Sequence, residues 1–177
     1  DTILCEAQPV FVPLAPGAPL DLDQLAAAFG PRTRAVIVNT PSNPSGRVLT
    51  RTELEGIALL CQRHDAWAVT DEIYEHIRLS GEHVPIATLP GMRERTITIS
   101  GASKTFSITG WRIGYAIAEE RWARTIGYFS DLVYVCPPAP LQAEADSREN
   151  RNQPDTRPTT STAARATPLS GFRSAAP

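Results

Sequence analysis

Short apolar runs of strand character alternate with stretches of helical period over the first four-fifths of the chain. Residues 34–39 (RAVIVN) form a compact β-branched run between Pro-rich and polar segments, which predicts a buried strand. Residues 66–70 (AWAVT), ending at Asp71-Glu72, and residues 95–100 (RTITIS) repeat that character, and QPVFVPL at 8–14 reads as a further short strand. Between the strands the period lengthens. Thr50-x-x-Glu53 makes a capping box, and Leu54, Ile57, Ala58 and Cys61 then share one helical face, so a helix is predicted to end near His64–Asp65. A shorter helix, capped by Asp21 or Asp23, is predicted to run to about Phe29. Residues 101–103 read as a loop, residues 111–118 (WRIGYAIA) as another strand and 119–132 as a helix.

This order predicts an α/β domain in which helices cover a largely parallel sheet. Ligand-binding groups in such sheets gather at the carboxyl ends of the strands. Three polar clusters occupy those ends: Asn39–Asn43, Asp71–Tyr74 and Ser100–Lys104. The pattern stops at about Ala143. The following segment is rich in Thr, Ser, Pro, Ala and Arg, with Leu169 and Phe172 as its large apolar residues. Too little apolar surface is available there to offset chain entropy, so a domain over 1–142 and a disordered tail over 143–177 are expected. The abrupt shift after Gln142 is what an out-of-frame read-through produces; inspection of the coding DNA that found a homologous continuation in no other frame would sink that reading.

Composition narrows the function classes. With 42% hydrophobic and 20% charged residues and a net charge of −2, the chain reads as an ordinary globular protein without the basic footprint of a nucleic-acid or anionic-membrane binder. No apolar run approaches the roughly 18 residues of a membrane span. Cys5, Cys61 and Cys136 form no CxxC pair or zinc pattern, which favours a reducing cytoplasm. His64, His76 and His83 lack metal spacing, and solvated or capping roles are expected for them. Trp67, Trp111 and Trp122 are expected in a core or interface, and neither a Walker loop nor GxGxxG is present. Lys104 is the one lysine among 17 basic residues. Any lysine chemistry must therefore be its own, although a bias toward Arg codons accounts for the count equally well.

Three motifs at the strand ends could carry chemistry. Lys104 follows a strand in Ser100-Gly-Ala-Ser-Lys-Thr-Phe-Ser, a small-residue loop that suits a ligand-facing amine. Burial and nearby cations would free such an amine to attack a carbonyl. Ser103, Ser107 and the loop N–H groups suit a phosphate, and Arg112 offers it a forked charge. Asp71 can hold an aromatic ring nitrogen protonated, with the Tyr74 phenol reaching a ring oxygen. In the stiff Asn39-Thr-Pro-Ser-Asn-Pro-Ser-Gly46 loop, Asn43 can present its amide to the same ligand. Each motif alone is read as readily as a surface lysine, a capping Asp or an ordinary turn.

Their order and spacing are far more specific. TPSNPSG, then DEIYEHI, then SGASKTFSITGWRIGY resembles the class I/II aminotransferases of pyridoxal-phosphate (PLP) fold type I, with similarity from about Val10 to Gln142. The resemblance implies a three-layer sandwich with a mainly parallel sheet, here as part of the PLP-binding large domain. It implies PLP as cofactor, amino acids and 2-oxo acids as substrates, and a homodimer for the full-length family. By matching positions, Lys104 forms the Schiff base and shuttles the proton, Asp71 pairs with the pyridinium nitrogen, and Tyr74 and Asn43 bond the ring oxygen. Asn43 also lies near the substrate carboxylate, and Arg112 with Ser103 takes the phosphate. Catalytic roles thus fall to Lys104, Asp71 and Tyr74. The family often has Ser three residues before the lysine; Gly101 stands there, leaving Ser100 as a weak phosphate candidate. A cis Asn43–Pro44 bond is also expected.

Family members are far longer. The resemblance places the start of this chain inside the large domain, without the segment that brings a ring-stacking aromatic. It leaves no match for the small-domain arginine that clamps the substrate carboxylate. The readings left open are an aminotransferase active only in a longer form, a PLP-dependent carbon–sulfur lyase, and a non-catalytic truncated remnant.

Overall fold

The computed structural model describes residues 2–15, 17–78, 80–134 and 136–144, together with the backbone of residues 167–168. Its centre is a sheet of strands β1 (Ala35–Asn39), β2 (Trp67–Asp71), β3 (Thr96–Gly101), β4 (Gly114–Ile117) and β5 (Thr167–Pro168), in that spatial order. The first three strands run parallel, and β4 and then β5 add antiparallel. The expected α/β class with a mainly parallel sheet is what the chain adopts. Most of the expected tail lies outside the described residues.

Helix α1 (Leu22–Ala28) starts at Asp21, whose side chain accepts from the Gln24 N–H, and α2 (Arg51–His64) starts on the full Thr50–Glu53 capping box. Asp65, in the left-handed region (φ 48°), ends α2. The β1–α2–β2 crossover lays Leu54, Ile57, Ala58 and Cys61 over one sheet face. There they pack with Val38 and Ala68 and with Ile86, Leu89 and Met92 of the β2–β3 connection. Full burial of a side chain such as Leu54 or Ile57 stabilises by about 2 kcal/mol. The same burial pushes the Cys61 thiol up to about 11, against the opposing charge of Arg95. Helix α4 (Glu120–Tyr134) lies toward the other face, where Trp122 meets Trp67 edge-on at 4.8 Å. Ile37 remains 68% exposed on that second face. Among the described residues no helix is long and apolar enough to cross a membrane.

Three local readings need correction. Residues 8–14 are not a strand: Val10 and Phe11 are exposed, Pro9 and Pro13 lack N–H donors, and no described strand lies beside them. The loop expected at 101–103 is not one: Gly101 ends β3, and Ala102–Thr105 wind into the single turn α3, which carries Lys104. The strand expected at 111–118 shrinks to 114–117. Thr109–Trp111 forms a 3-10 turn and Arg112 is left-handed (φ 56°), because the chain must reverse here to run back along β3.

Candidate active site

The site forms at the carboxyl ends of β1, β2 and β3. Register pairs Asn39 with Asp71 and Asp71 with Ile99, so all three side chains share one face. Asn39 fastens the loop that follows it: its Nδ2 donates to the Asp71 carbonyl at 3.2 Å, and its Oδ1 accepts the Asn43 N–H at 3.1 Å. Ser42 donates its N–H to the Arg47 carbonyl and Gly46 donates to Ser42, closing the turn with Gly46 at φ 67°. Thr40–Pro41 and Asn43–Pro44 are both cis, the second as expected. At its far end the loop is tied to α2, where Arg47 pairs with Glu53. Burial works to raise the Glu53 carboxyl. Hydrogen bonds from the Leu20 and Thr50 N–H groups and the Thr50 hydroxyl, with the Arg47 charge, outweigh it and hold the carboxyl below its ordinary range.

Held this way, Asn43 donates from Nδ2 to the Tyr74 phenol at 3.1 Å. The ammonium of Lys104 stands over the Tyr74 ring, 5.9 Å from its centre. Lys104, on α3, is steadied by a small apolar cluster in which Ala102 and Ile113 pack with Phe106, Ile108 and Trp111. Asp71 is half-buried; its Oδ1 accepts the Ile73 N–H at 3.3 Å. Among the described residues, Lys104 donates no hydrogen bond and Asp71 Oδ2 accepts none.

Three sequence-remote segments thus bring Asn43, Tyr74 and Lys104 together, with Asp71 on the strand end beside them. Arg112 is not joined to this group. Its guanidinium is exposed and donates to the Thr109 carbonyl at 3.4 Å. The Ser103 carbonyl accepts from the Ile108 N–H and the Thr109 hydroxyl, which fixes the backbone of the turn. Ser100 is buried and its hydroxyl donates to Glu75 Oε1 at 3.0 Å, so it faces away from a phosphate role. Sequence reasoning missed the fastening role of Asn39 and the anchors Glu72, Glu75 and His83. The solvated or capping role expected for His83 is corrected: its side chain is 6% exposed and its Nε2 pairs with Glu72 Oε2 at 2.7 Å. The available signal was strand alternation, which turns Glu72 to the covered face immediately after Asp71 faces the open one.

The model of the aminotransferase class I and II family matches residues 2–152. The chain belongs to the class I and II aminotransferases. Human kynurenine–oxoglutarate transaminase 1 is 42% identical over 164 residues, covering 84% of this chain and 38% of the relative. Arginine–pyruvate transaminase of Pseudomonas aeruginosa is 44% identical over 115 residues, covering 64% of this chain and 29% of that protein. Among solved structures, the aromatic aminotransferase of Pyrococcus horikoshii OT3 superposes with a TM-score of 0.69 at 42% identity, over 72% of this chain and 35% of the other. N-Succinyldiaminopimelate aminotransferase of Mycobacterium tuberculosis gives 0.61 at 39% identity, over 85% and 35%. The chain therefore spans well under half the length of these aminotransferases.

Proposed function

We propose that the chain carries the cofactor-holding part of a PLP-dependent aminotransferase that moves an amino group from an amino acid to a 2-oxo acid. The observation that carries this reading is the Asn43–Tyr74 hydrogen bond at 3.1 Å together with the ammonium of the sole lysine 5.9 Å from the centre of the Tyr74 ring. The donor set fits PLP. An uncommitted amine suits its aldehyde, an uncommitted carboxylate oxygen on Asp71 suits its ring N–H, and the Asn43–Tyr74 pair suits its phenolic oxygen. When bound, PLP draws electrons from the substrate Cα through its protonated ring.

In this reading the Lys104 amine would hold the cofactor and would also be the group that carries the substrate Cα proton. Asp71 would keep the ring nitrogen protonated, Asn43 and Tyr74 would bond the ring oxygen, and Arg112 with Ser103 would take the phosphate. Activity belongs to a longer, dimeric architecture, and this polypeptide alone is expected to be inactive.

The test is to add PLP to the full chain, reduce with borohydride and map the modified peptide. Label confined to the Lys104 peptide is expected. A folded chain that stays unlabelled overturns the cofactor reading and leaves a non-catalytic remnant. In a longer form, amino-donor screening with a 2-oxo acid separates transaminase from carbon–sulfur lyase, because the lyase releases ammonia and a thiol.

A further inference from the structure

Behind the site, on the covered side of the sheet, lies a second polar group that the proposed chemistry does not use. Glu72, 1% exposed, accepts the Thr70 hydroxyl at 2.9 Å and meets His83 Nε2 at 2.7 Å. Thr70 and Thr98, partners across β2 and β3, have their hydroxyls 3.3 Å apart. The Glu72 N–H continues the ladder by donating to the Ile99 carbonyl at 2.8 Å. Next to this anchor, Glu75 donates its N–H to the Glu72 carbonyl at 2.9 Å, closing the turn that carries Tyr74. Glu75 Oε1 accepts the Ser100 hydroxyl at 3.0 Å and the Tyr115 phenol at 3.4 Å. Ser100 and Tyr115 are themselves register partners across β3 and β4.

We infer that Glu75 is a positioning residue for the site. One carboxylate oxygen binds the Tyr74 turn to the strand that leads into Lys104 and to the strand that follows Arg112. Backbone ladders fix the strands but leave the turns beyond them free to pivot. The Glu75 bridge removes that freedom where the Tyr74 phenol and the Lys104 amine must keep their separation. Its neighbour His76, whose Nε2 lies 3.9 Å from Glu75 Oε1 and whose side chain is largely exposed, makes no comparable link. The role assigned to Glu75 rests on Tyr74 and Lys104 being the site, as proposed above. A ligand-facing role is not assigned to it, because its bonded oxygen is occupied by Ser100 and Tyr115 on the covered side.

Two readouts test this on the full chain. Because Lys104 is the sole lysine, reductive 13C-methylation gives one lysine signal, whose chemical shift senses its surroundings without any cofactor. The second readout is the PLP concentration that half-saturates borohydride labelling. Glu75→Gln keeps a carbonyl oxygen for both hydroxyls, and Glu75→Leu does not. The lysine signal of Glu75→Leu is expected to move toward that of a free lysine, and half-saturation to rise about tenfold, as misplacing binding groups entails. Glu75→Gln is expected to restore both. A folded Glu75→Leu chain with neither change overturns the inference, and so does a Glu75→Gln chain as impaired as Glu75→Leu. Should Glu75→Leu fail to fold, Ser100→Ala removes one donor without leaving a large cavity. It is expected to move the lysine signal in the same direction, and an unmoved signal overturns the inference. A wild-type chain that takes no PLP label, yet whose lysine signal responds to Glu75→Leu, sinks the cofactor reading and keeps the positioning role.

Discussion

The two sides of the sheet's carboxyl edge are built from adjacent residues and have opposite characters. On the open side, Asp71 keeps a free oxygen and Lys104 makes no hydrogen bond among the described residues. On the covered side, Glu72 and Glu75 are bound by Thr70, His83, Ser100 and Tyr115. Asp71 and Glu72 are consecutive acids, yet strand alternation sends one toward a ligand and the other into the protein. The difference separates two uses of polar groups. Uncommitted donors and acceptors give binding and reactivity, while committed ones hold the turns that present them. Substitutions on the open side are therefore expected to cost chemistry directly, and substitutions on the covered side to cost stability or the placement of the groups that act.

The largest effect tests the open side. Lys104→Ala is expected to abolish covalent PLP labelling entirely, as judged by peptide mass after borohydride reduction, with unfolding by denaturant unchanged within about 0.5 kcal/mol. Undiminished labelling would sink the assignment. On the covered side, His83→Ala leaves the buried Glu72 carboxylate without its ring partner. The expected cost is about 3 kcal/mol in denaturant unfolding. Asp71→Asn is expected to cost less than about 1 kcal/mol by the same measurement. Equal costs for the two would erase the contrast between the faces.

Gly101 tests the seam between the two sides. A Cβ there would stand 2.8 Å from the Ile113 carbonyl oxygen and 3.0 Å from the Gly114 Cα. Gly101→Ser, which places the serine common in the family, is thus expected to push β3 from β4 and cost about 2 kcal/mol. An unchanged thermal midpoint would show that β4 yields freely. The smallest effect concerns Glu53, at the base of the Asn43 loop. Its folded-state pKa is depressed, so the stability it contributes is present above its ordinary value of 4.5 and is lost as pH falls through the folded value. Thermal melts of wild type are expected to fall more steeply with acidification than those of Glu53→Gln; parallel curves would remove the Glu53 carboxylate and its hydrogen bonds from the account.

Much of this arrangement was legible from the chain itself, for a physical reason. The strands at 35–39, 67–71 and 96–101 and the start and stop of α2 follow from apolar periodicity and from caps, which act over a few residues. The order of TPSNPSG, DEIYEHI and the lysine loop carried the family, because each motif sits at a strand end that a parallel sheet brings to one edge. What short range could not decide was left to tertiary structure. Residues 8–14 have strand composition and, among the described residues, no partner strand. His83 reads as a solvated histidine until the fold sets it against Glu72, eleven residues away in sequence. Glu75 reaches Ser100 and Tyr115 across 25 and 40 residues, distances over which local pattern carries no information. Sequence determined which groups arrive at the edge. Only the packed sheet decided which of them are bound to one another and which stay free to act.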